Sequence, residues 1–270
     1  MLLKPVRYVR PATVEAAVAS LGEDENARAL AGGQTLLNVM KLRAAAPDVL
    51  VDLAGIAELR TIGRGEAGEL VLGATVTYAD VIASADVHQA RPVLARVCGQ
   101  IADVQVRNLG TVGGNVCASD PTNHLPPLMV SLGASMTIAG PEGERTVPAE
   151  DFFLGVYFTA VSPGELLTAV RIPPATGGDG FASVTIGREG TCIVNAAASV
   201  DGGGPKVALG CVAAVPELVR PTATDEEEVR EAVRAAGLDP PSDVHASAEY
   251  RRHLAEVLAV RAVREAVTAR

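Results

Sequence analysis

The sequence contains no tryptophan, and aromatic residues make up only 3% of its 270 residues. Platforms that stack single-stranded nucleic acid are built from aromatic side chains, so no such platform is expected. Basic residues are also in the minority, 23 against 32 acidic ones, which gives a net charge of −9 and a pI near 5.0. Because nucleic-acid binding needs a basic surface that displaces counterions from phosphates, this composition argues against nucleic acid as a partner.

Long hydrophobic runs are missing as well. No stretch approaches the roughly 20 uncharged apolar residues of a membrane span, so none is expected. The first eight residues, MLLKPVRY, are interrupted by charges and by Pro5 and do not form a signal-peptide core. We therefore expect a soluble, cytoplasmic protein.

Cysteine is sparse and widely spaced. The four residues are Cys98, Cys117, Cys192 and Cys211. Their spacing matches no common metal-binding motif, so no zinc or iron–sulfur site is expected in this chain. We interpret them as small core residues in a reducing compartment.

Two glycine-rich segments are the strongest functional signal that is present. We call Ala31–Leu37 (AGGQTLL) the first glycine segment and Gly110–Asn115 (GTVGGN) the second. Glycine permits sharp turns and close backbone approach, and the first segment leads into a predicted helix over 35–43. Its free amides and the helix dipole would suit a pyrophosphate, with hydroxyl groups of Thr35 and Thr111 as further donors.

The pair of segments therefore predicts a split cradle for a dinucleotide. Taken alone, each segment is explained equally well as a tight turn with close packing. A third glycine pattern, GRGEAG at 63–68, matches G-x-G-x-x-G. Because strands are predicted on both sides of it and no helix follows, we interpret it as a hairpin loop.

Hydrophobic periodicity predicts an α+β protein of three parts, residues 1–55, 56–173 and 174–270. A Pro/Gly-rich linker is predicted at 173–180, followed by a three-stranded antiparallel sheet. The acidic run at 225–228 is interpreted as the first turn of a helix capped by Thr224. Predicted helices cover 14–21, 35–43, 78–84, 92–102, 125–132, 225–236 and 247–269; predicted strands cover 27–30, 49–53, 59–62, 69–75, 134–139, 166–172, 182–187, 195–200 and 206–212.

The two segments also carry a family resemblance, together with MKLR at 40–43, VRNL at 106–109, DP at 120–121 and ELLTAVRIP at 165–173. These motifs resemble the FAD-binding, or medium, subunit of the molybdenum hydroxylases. That family includes aerobic carbon monoxide dehydrogenase and bacterial xanthine and aldehyde dehydrogenases. The resemblance covers nearly the whole chain.

The resemblance implies a two-subdomain FAD-binding fold of the vanillyl-alcohol oxidase-like (PCMH) type, followed by a C-terminal flavoprotein domain. By similarity the first glycine segment would cradle the FAD pyrophosphate, and the second would line the ribityl chain and pyrophosphate. Four further positions would approach the flavin or the adenosine. The cofactor-binding candidates are Ala31, Gly32, Gly33, Gln34, Thr35, Leu36, Leu37, Ile101, Gly110, Thr111, Val112, Gly113, Gly114, Asn115, Asp120, His124 and Leu167.

The function implied is that of an electron-transfer subunit. FAD would take electrons from [2Fe-2S] clusters of a small partner subunit and pass them to an external acceptor, while substrate is oxidised at the molybdenum cofactor of a large partner subunit. A dimer of heterotrimers is expected, and carbon monoxide, an aldehyde and an N-heterocycle remain open as substrates. We assign no catalytic side chain and no metal ligand to this chain. An FAD-binding assembly factor and a stand-alone flavin oxidase are the alternatives.

One position departs from the family pattern. Relatives commonly carry a basic residue in the strand that opens the C-terminal domain, where this chain has Thr185. Arg188, three residues later, is the candidate replacement. For His124, near the expected flavin, a structural and a functional role stay equally open.

Overall fold

A computed structural model describes residues 3–187 and 190–269. Its helices are α1 (Val14–Gly22), α2 (Leu36–Lys41), α3 (Tyr78–Ala83), α4 (Ala85–Ala90), α5 (Pro92–Cys98), α6 (Val104–Leu109), α7 (Val112–Ala118), α8 (Leu125–Ser131), α9 (Ala149–Phe152), α10 (Glu226–Ala235) and α11 (Ala248–Thr268). Its strands are β1 (Arg7–Val9), β2 (Ala27–Leu30), β3 (Val49–Asp52), β4 (Ile62–Arg64), β5 (Leu70–Gly73), β6 (Ser135–Gly140), β7 (Gly143–Pro148), β8 (Phe153–Gly155), β9 (Phe158–Thr159), β10 (Leu166–Ile172), β11 (Gly178–Thr185), β12 (Cys192–Asp201), β13 (Gly204–Gly210) and β14 (Glu217–Val219).

The N-terminal sheet is parallel, with the order β1-β3-β2. Its central strand β3 is buried along its whole length, which explains its continuous apolar run. Helix α1 covers the sheet with Ala17, Val18 and Leu21. Strand β1 was not predicted, because its two exposed residues and one half-buried residue carry no hydrophobic alternation.

The middle sheet is antiparallel, with the order β4-β5-β10-β6-β7. Strand β10 comes last in sequence but occupies the centre, so Val170 and Ile172 are fully buried. The G-x-G-x-x-G pattern does lie in a hairpin: its first two residues, Gly63 and Arg64, end β4, and the other four lie in the loop that leads to β5. The first predicted strand of that hairpin, 59–62, is a short 3-10 helix over Ala57–Arg60, and pairing begins at Ile62.

The C-terminal sheet is an antiparallel meander, β11-β12-β13-β14, with the long helix α11 packed on β11 and β12. The three predicted strands are present, and β14 joins as a fourth at the edge. Its three residues are too few to show a period. Within the ranges 3–187 and 190–269, no helix has both the length and the apolar character needed to cross a membrane.

The predicted linker at 173–180 is wrong in its second half, because β11 already begins at Gly178. A Cβ atom built on Gly178 would lie 2.0 Å from the backbone oxygen of Ala266, and one on Gly180 would lie 2.0 Å from that of Ala262. These glycines let α11 approach the strand closely. The cap of α10 is also shifted by one residue, since Asp225, not Thr224, accepts from the amide of Glu228.

A buried ion pair joins the middle of the chain to the C-terminal sheet. Nη1 of Arg91 donates to both carboxylate oxygens of Asp179, at 2.9 and 2.8 Å. The other guanidinium nitrogens donate to the backbone oxygens of Pro173 and Pro174. The two side chains are 5% and 6% exposed, so water does not screen the pair.

Replacing Asp179 with alanine should leave the Arg91 guanidinium buried without a counter-charge. We expect the free energy of unfolding to fall by about 3–5 kcal/mol. Arg220→Ala is the matched control, because the Arg220–Glu150 pair is exposed and its loss should cost less than about 1 kcal/mol. Urea denaturation measures both, and equal losses would contradict the argument.

Candidate functional site

The two glycine segments lie against each other in the structure, despite their separation in the sequence. A Cβ atom built on Gly32 would lie 1.9 Å from the backbone oxygen of Leu109 and 3.0 Å from Cα of Gly110. A Cβ atom on Gly114 would lie 3.9 Å from that of Ala31. The structure therefore brings together the two segments from which the cradle was predicted.

The first glycine segment offers a run of free backbone donors. Across the described residues, no hydrogen bond uses the backbone N–H of the four residues from Gly33 to Leu36. The run is held in place by its carbonyls and side chains: Gln34 Nε2 donates to the oxygen of Gly32 at 2.9 Å, and Asn38 Nδ2 donates to that of Gln34 at 2.7 Å. Consecutive free amides of this kind bind anions.

Gly33 has a φ of +69°, the left-handed conformation that glycine adopts without strain. The helix that follows is shorter than predicted, Leu36–Lys41, and the Thr35 side chain does not cap it. The dipole of so short a helix is weak, so the amides themselves are the main donors. The Thr35 hydroxyl remains available as a further donor.

The backbone amides of the second segment, in contrast, are used to anchor it. The N–H of Val112 donates to the oxygen of Val76, and that of Gly113 donates to the oxygen of Ala74. The N–H of Gly114 donates to Oγ1 of Thr111 at 3.0 Å, which caps α7. A ligand would therefore meet this segment through other atoms than these amides.

The glycines of the second segment differ in what surrounds them. Gly110 and Gly113 are buried, and a Cβ on Gly113 would lie 2.5 Å from the oxygen of Ala74. Gly114 is exposed and faces Ala31. The buried glycines serve close packing, and Gly114 leaves the space between the segments open.

Two buried oxygen atoms beside the second segment lack a partner. Oγ1 of Thr75 and Oδ1 of Asn115 make no hydrogen bond with any described residue. The amide nitrogen of Asn115 donates to the hydroxyl of Tyr78 at 2.8 Å, so the orientation of this side chain is fixed. Unsatisfied buried acceptors are rare and costly in proteins, and these two fit a ligand that carries hydroxyl groups.

Thr75 and Tyr78 were missed by the sequence analysis. Burial raises the pKa of Tyr78 well above its ordinary value, so its hydroxyl keeps its proton at neutral pH. The only sequence signal is the cluster of hydroxyl residues that follows β5, Thr75, Thr77 and Tyr78. The spacing of these three residues does not indicate that they lie beside the second glycine segment.

Asp120 lies in the turn after α7, at the opposite end of that helix from Thr111. Its carboxylate accepts from the backbone amide and the hydroxyl of Thr122, at 2.9 and 2.8 Å, and from the hydroxyl of Tyr157 at 3.3 Å. Seven helical residues span about 10 Å. Asp120 is therefore held firmly, one helix length from the contact between the glycine segments.

The remaining candidates are Ile101, His124 and Leu167. Among the described residues, no hydrogen bond or ring contact joins them to the glycine segments. Leu167 is 2% exposed and pairs with Ile138 in the middle sheet. His124 is buried before α8, with its ring 5.3 Å from that of Phe181. Ile101 is half-buried.

Two models of known protein families match this chain. A family model described as the FAD binding domain in molybdopterin dehydrogenase matches residues 4–175. A second, the CO dehydrogenase flavoprotein C-terminal domain, matches residues 187–266. The chain belongs to the molybdopterin dehydrogenase flavoprotein family. The resemblance read from the glycine segments is thereby confirmed.

Individual members of the family match over their full length. The chain is 41% identical to the carbon monoxide dehydrogenase medium chain of Afipia carboxidovorans, covering 96% of each. It is 34% identical to the nicotine 6-hydroxylase medium subunit of Paenarthrobacter nicotinovorans, covering 98% of this chain and 99% of the other. A crystal structure of cyanide-inactivated Cu,Mo-CO dehydrogenase matches 100% of both chains, with a TM-score of 0.93 and 37% identity.

The sequence places the family's basic position in the C-terminal domain at Thr185, with Arg188 as the candidate replacement. The hydroxyl of Thr185 donates to the backbone oxygen of Gly187 at 2.7 Å, closing the turn after β11. Arg188 lies outside the described residues. That Arg188 takes the role of the family's basic residue, in place of Thr185, stays a prediction.

Gly32→Ala should separate the two glycine segments, because its Cβ cannot fit against Leu109. We expect the free energy of unfolding to fall by about 1–3 kcal/mol and bound FAD to be lost. Gly63→Ala is the control, since no atom lies within 4 Å of its Cβ position. Thermal denaturation and the flavin content of each purified protein are measured; FAD retained at the parental stoichiometry in Gly32→Ala would refute the contact's role.

Thr75→Val replaces the unpartnered hydroxyl with a methyl group of similar shape. The FAD-free protein should be as stable as the parent or more stable, whereas its FAD affinity should fall by a factor equivalent to about 1–3 kcal/mol. Thr61→Val serves as control, because the Thr61 hydroxyl bonds to Glu58 on the surface. Flavin fluorescence titration measures affinity, and an unchanged value would show that Thr75 does not touch the cofactor.

Proposed function

We propose that this chain is the FAD-carrying electron-transfer subunit of a molybdenum-containing hydroxylase or dehydrogenase. The observation that carries the proposal is the run of free amides at 33–36, packed against the second glycine segment in a chain of this family. A pyrophosphate has two negative charges, and an acidic protein must bind it with local donors. The first glycine segment supplies such donors.

The remaining contacts follow from the same geometry. The first glycine segment, Ala31 to Leu37, would hold the pyrophosphate, and the exposed backbone of Gly114 would face it from the second. Thr75 and Asn115 would accept hydrogen bonds from hydroxyl groups of the ribityl chain. Asp120, Ile101, His124 and Leu167 would lie farther along, towards the flavin ring or the adenosine.

The chemistry would be that of electron relay. Bound FAD can accept electrons one at a time and pass them on in pairs. The residues of this chain would bind and orient the cofactor, and we assign none of them a catalytic acid or base role.

We further propose that the boundaries between the three parts of the chain lie near residues 55 and 173.

Partners are implied by the relatives, whose names describe a medium chain or medium subunit. We propose that a large partner subunit carries the molybdenum cofactor and a small one carries [2Fe-2S] clusters, in a cytoplasmic dimer of heterotrimers. The relatives are named for carbon monoxide and for nicotine. The substrate would bind in the large subunit, so its identity is not encoded in this chain.

A native pull-down of the full chain from its own cells tests the proposal. We expect a large and a small subunit to co-purify, with the visible absorption bands of flavin and with iron and molybdenum in the preparation. The control is a pull-down of Gly32→Ala, which should lose flavin. Flavin without partner subunits or metals would instead favour an assembly factor or a stand-alone oxidase, and a colourless preparation would contradict FAD binding.

A further inference from the structure

A cluster of two thiols, one imidazole and one amide lies buried where the C-terminal sheet meets the turn after α7. Nδ2 of Asn195 lies 3.4 Å from Nδ1 of His124, 3.4 Å from Sγ of Cys192 and 3.9 Å from Sγ of Cys211. Both sulfur atoms therefore lie beside the same amide nitrogen. We call these four residues the thiol cluster.

The cluster is anchored from both sides. Sγ of Cys211 donates to the backbone oxygen of Pro121 at 3.2 Å, and Nδ2 of Asn195 lies 3.4 Å from that of Asn123. Asn195 is fully buried, yet its Oδ1 has no partner among the described residues. Nearby Gly210 leaves room for this amide, since a Cβ there would lie 2.5 Å from Oδ1.

The electrostatics of the two thiols differ. The neighbouring Cys211 thiol, the His124 ring and the Asn195 amide lower the pKa of Cys192 against the opposing effect of burial. The interaction with Cys192 and burial raise the pKa of Cys211. Of the charged groups around it, Arg251 acts to lower the pKa of Cys211 and Asp120 acts to raise it. The cluster thus favours one thiolate, on Cys192, beside one thiol.

The two other cysteines of the chain provide an internal comparison. Burial alone raises the pKa of Cys98 and raises that of Cys117 to about 12. Neither has a polar partner among the hydrogen bonds of the described residues. They are expected to be inert, since the thiolate is the reactive form.

We propose that Cys192 and Cys211 form an oxidisable pair, in which a peroxide converts the two thiols into a disulfide. The Cys192 thiolate attacks the O–O bond of hydrogen peroxide, which forms an S–O bond and releases hydroxide. Cys192 becomes a sulfenic acid, oxidised by two electrons, and the peroxide is reduced. Cys211 then attacks this sulfur: an S–S bond forms, the S–O bond breaks, and the departing hydroxide takes the Cys211 proton as water.

A small crevice reaches Cys211 from the surface. Its lining includes Cys211 itself together with Asp120, Pro121 and Pro216. It provides a route for a small oxidant on the Cys211 side of the cluster. The oxidisable pair is independent of the proposed electron-transfer function, because only the cysteines and their neighbours take part.

Peptide mapping of the full chain tests the proposal. The reduced protein is treated with limiting hydrogen peroxide, denatured in an alkylating reagent and analysed by mass spectrometry. We expect two of the four thiols to be lost, a linked peptide pair that contains Cys192 and Cys211, and full recovery with dithiothreitol. Cys98 and Cys117 should react at least about tenfold more slowly.

Two variants separate the steps. In Cys211→Ser, Cys192 should accumulate as a sulfenic acid that dimedone traps, with no disulfide. Cys117→Ser, outside the cluster, should form the disulfide at the parental rate. Equal oxidation of all four cysteines in the parent, oxidation of Cys192 without the disulfide, or no selective oxidation would each overturn the proposal.

Discussion

The contact between the backbone of Gly32 and that of Leu109 is the constraint on which the candidate site depends. Two chain segments far apart in sequence can approach this closely only where one of them carries no side chain at the point of contact. The same device holds Gly113 against Ala74 and, in the C-terminal sheet, Gly178 and Gly180 against α11. Backbone-to-backbone packing through glycine thus sets the geometry of both halves of the protein.

The two glycine segments have different roles in the candidate site. The amides of the second segment bind the backbone oxygens of Ala74 and Val76, just after β5, so the segment is rigid and has few free donors. The first packs against it, and its four backbone amides from 33 to 36 make no hydrogen bond within the part of the chain that the structure describes. Fixed, neutral donors can bind a pyrophosphate without a cationic side chain. A chain of net charge −9 can therefore belong to a family of FAD-binding subunits.

Buried polar groups connect the C-terminal sheet to the rest. Arg91 and Asp179 form one such connection, and the contact of His124 with Asn195 forms another. Buried polar pairs add less to stability than apolar packing of the same volume, but they are costly to mismatch. They therefore define one arrangement of the two parts, and the thiols of Cys192 and Cys211 lie at this same junction.

The sequence by itself determined the family, the antiparallel C-terminal sheet, the hairpin around 63–68 and the pairing of the two glycine segments. These follow from local signals, namely hydrophobic period, turn residues and motif order. The tertiary structure alone decided which amides stay free, that Thr75 and Tyr78 border the second segment, and that Gly178 and Gly180 pack against a helix. A glycine in the sequence does not show whether it forms a turn, lies in a linker or allows two backbones to come into contact. Short edge strands such as β1 and β14 show no hydrophobic period. Only the chain's long-range contacts distinguish these cases, because the free energy that selects them comes from residues distant in sequence.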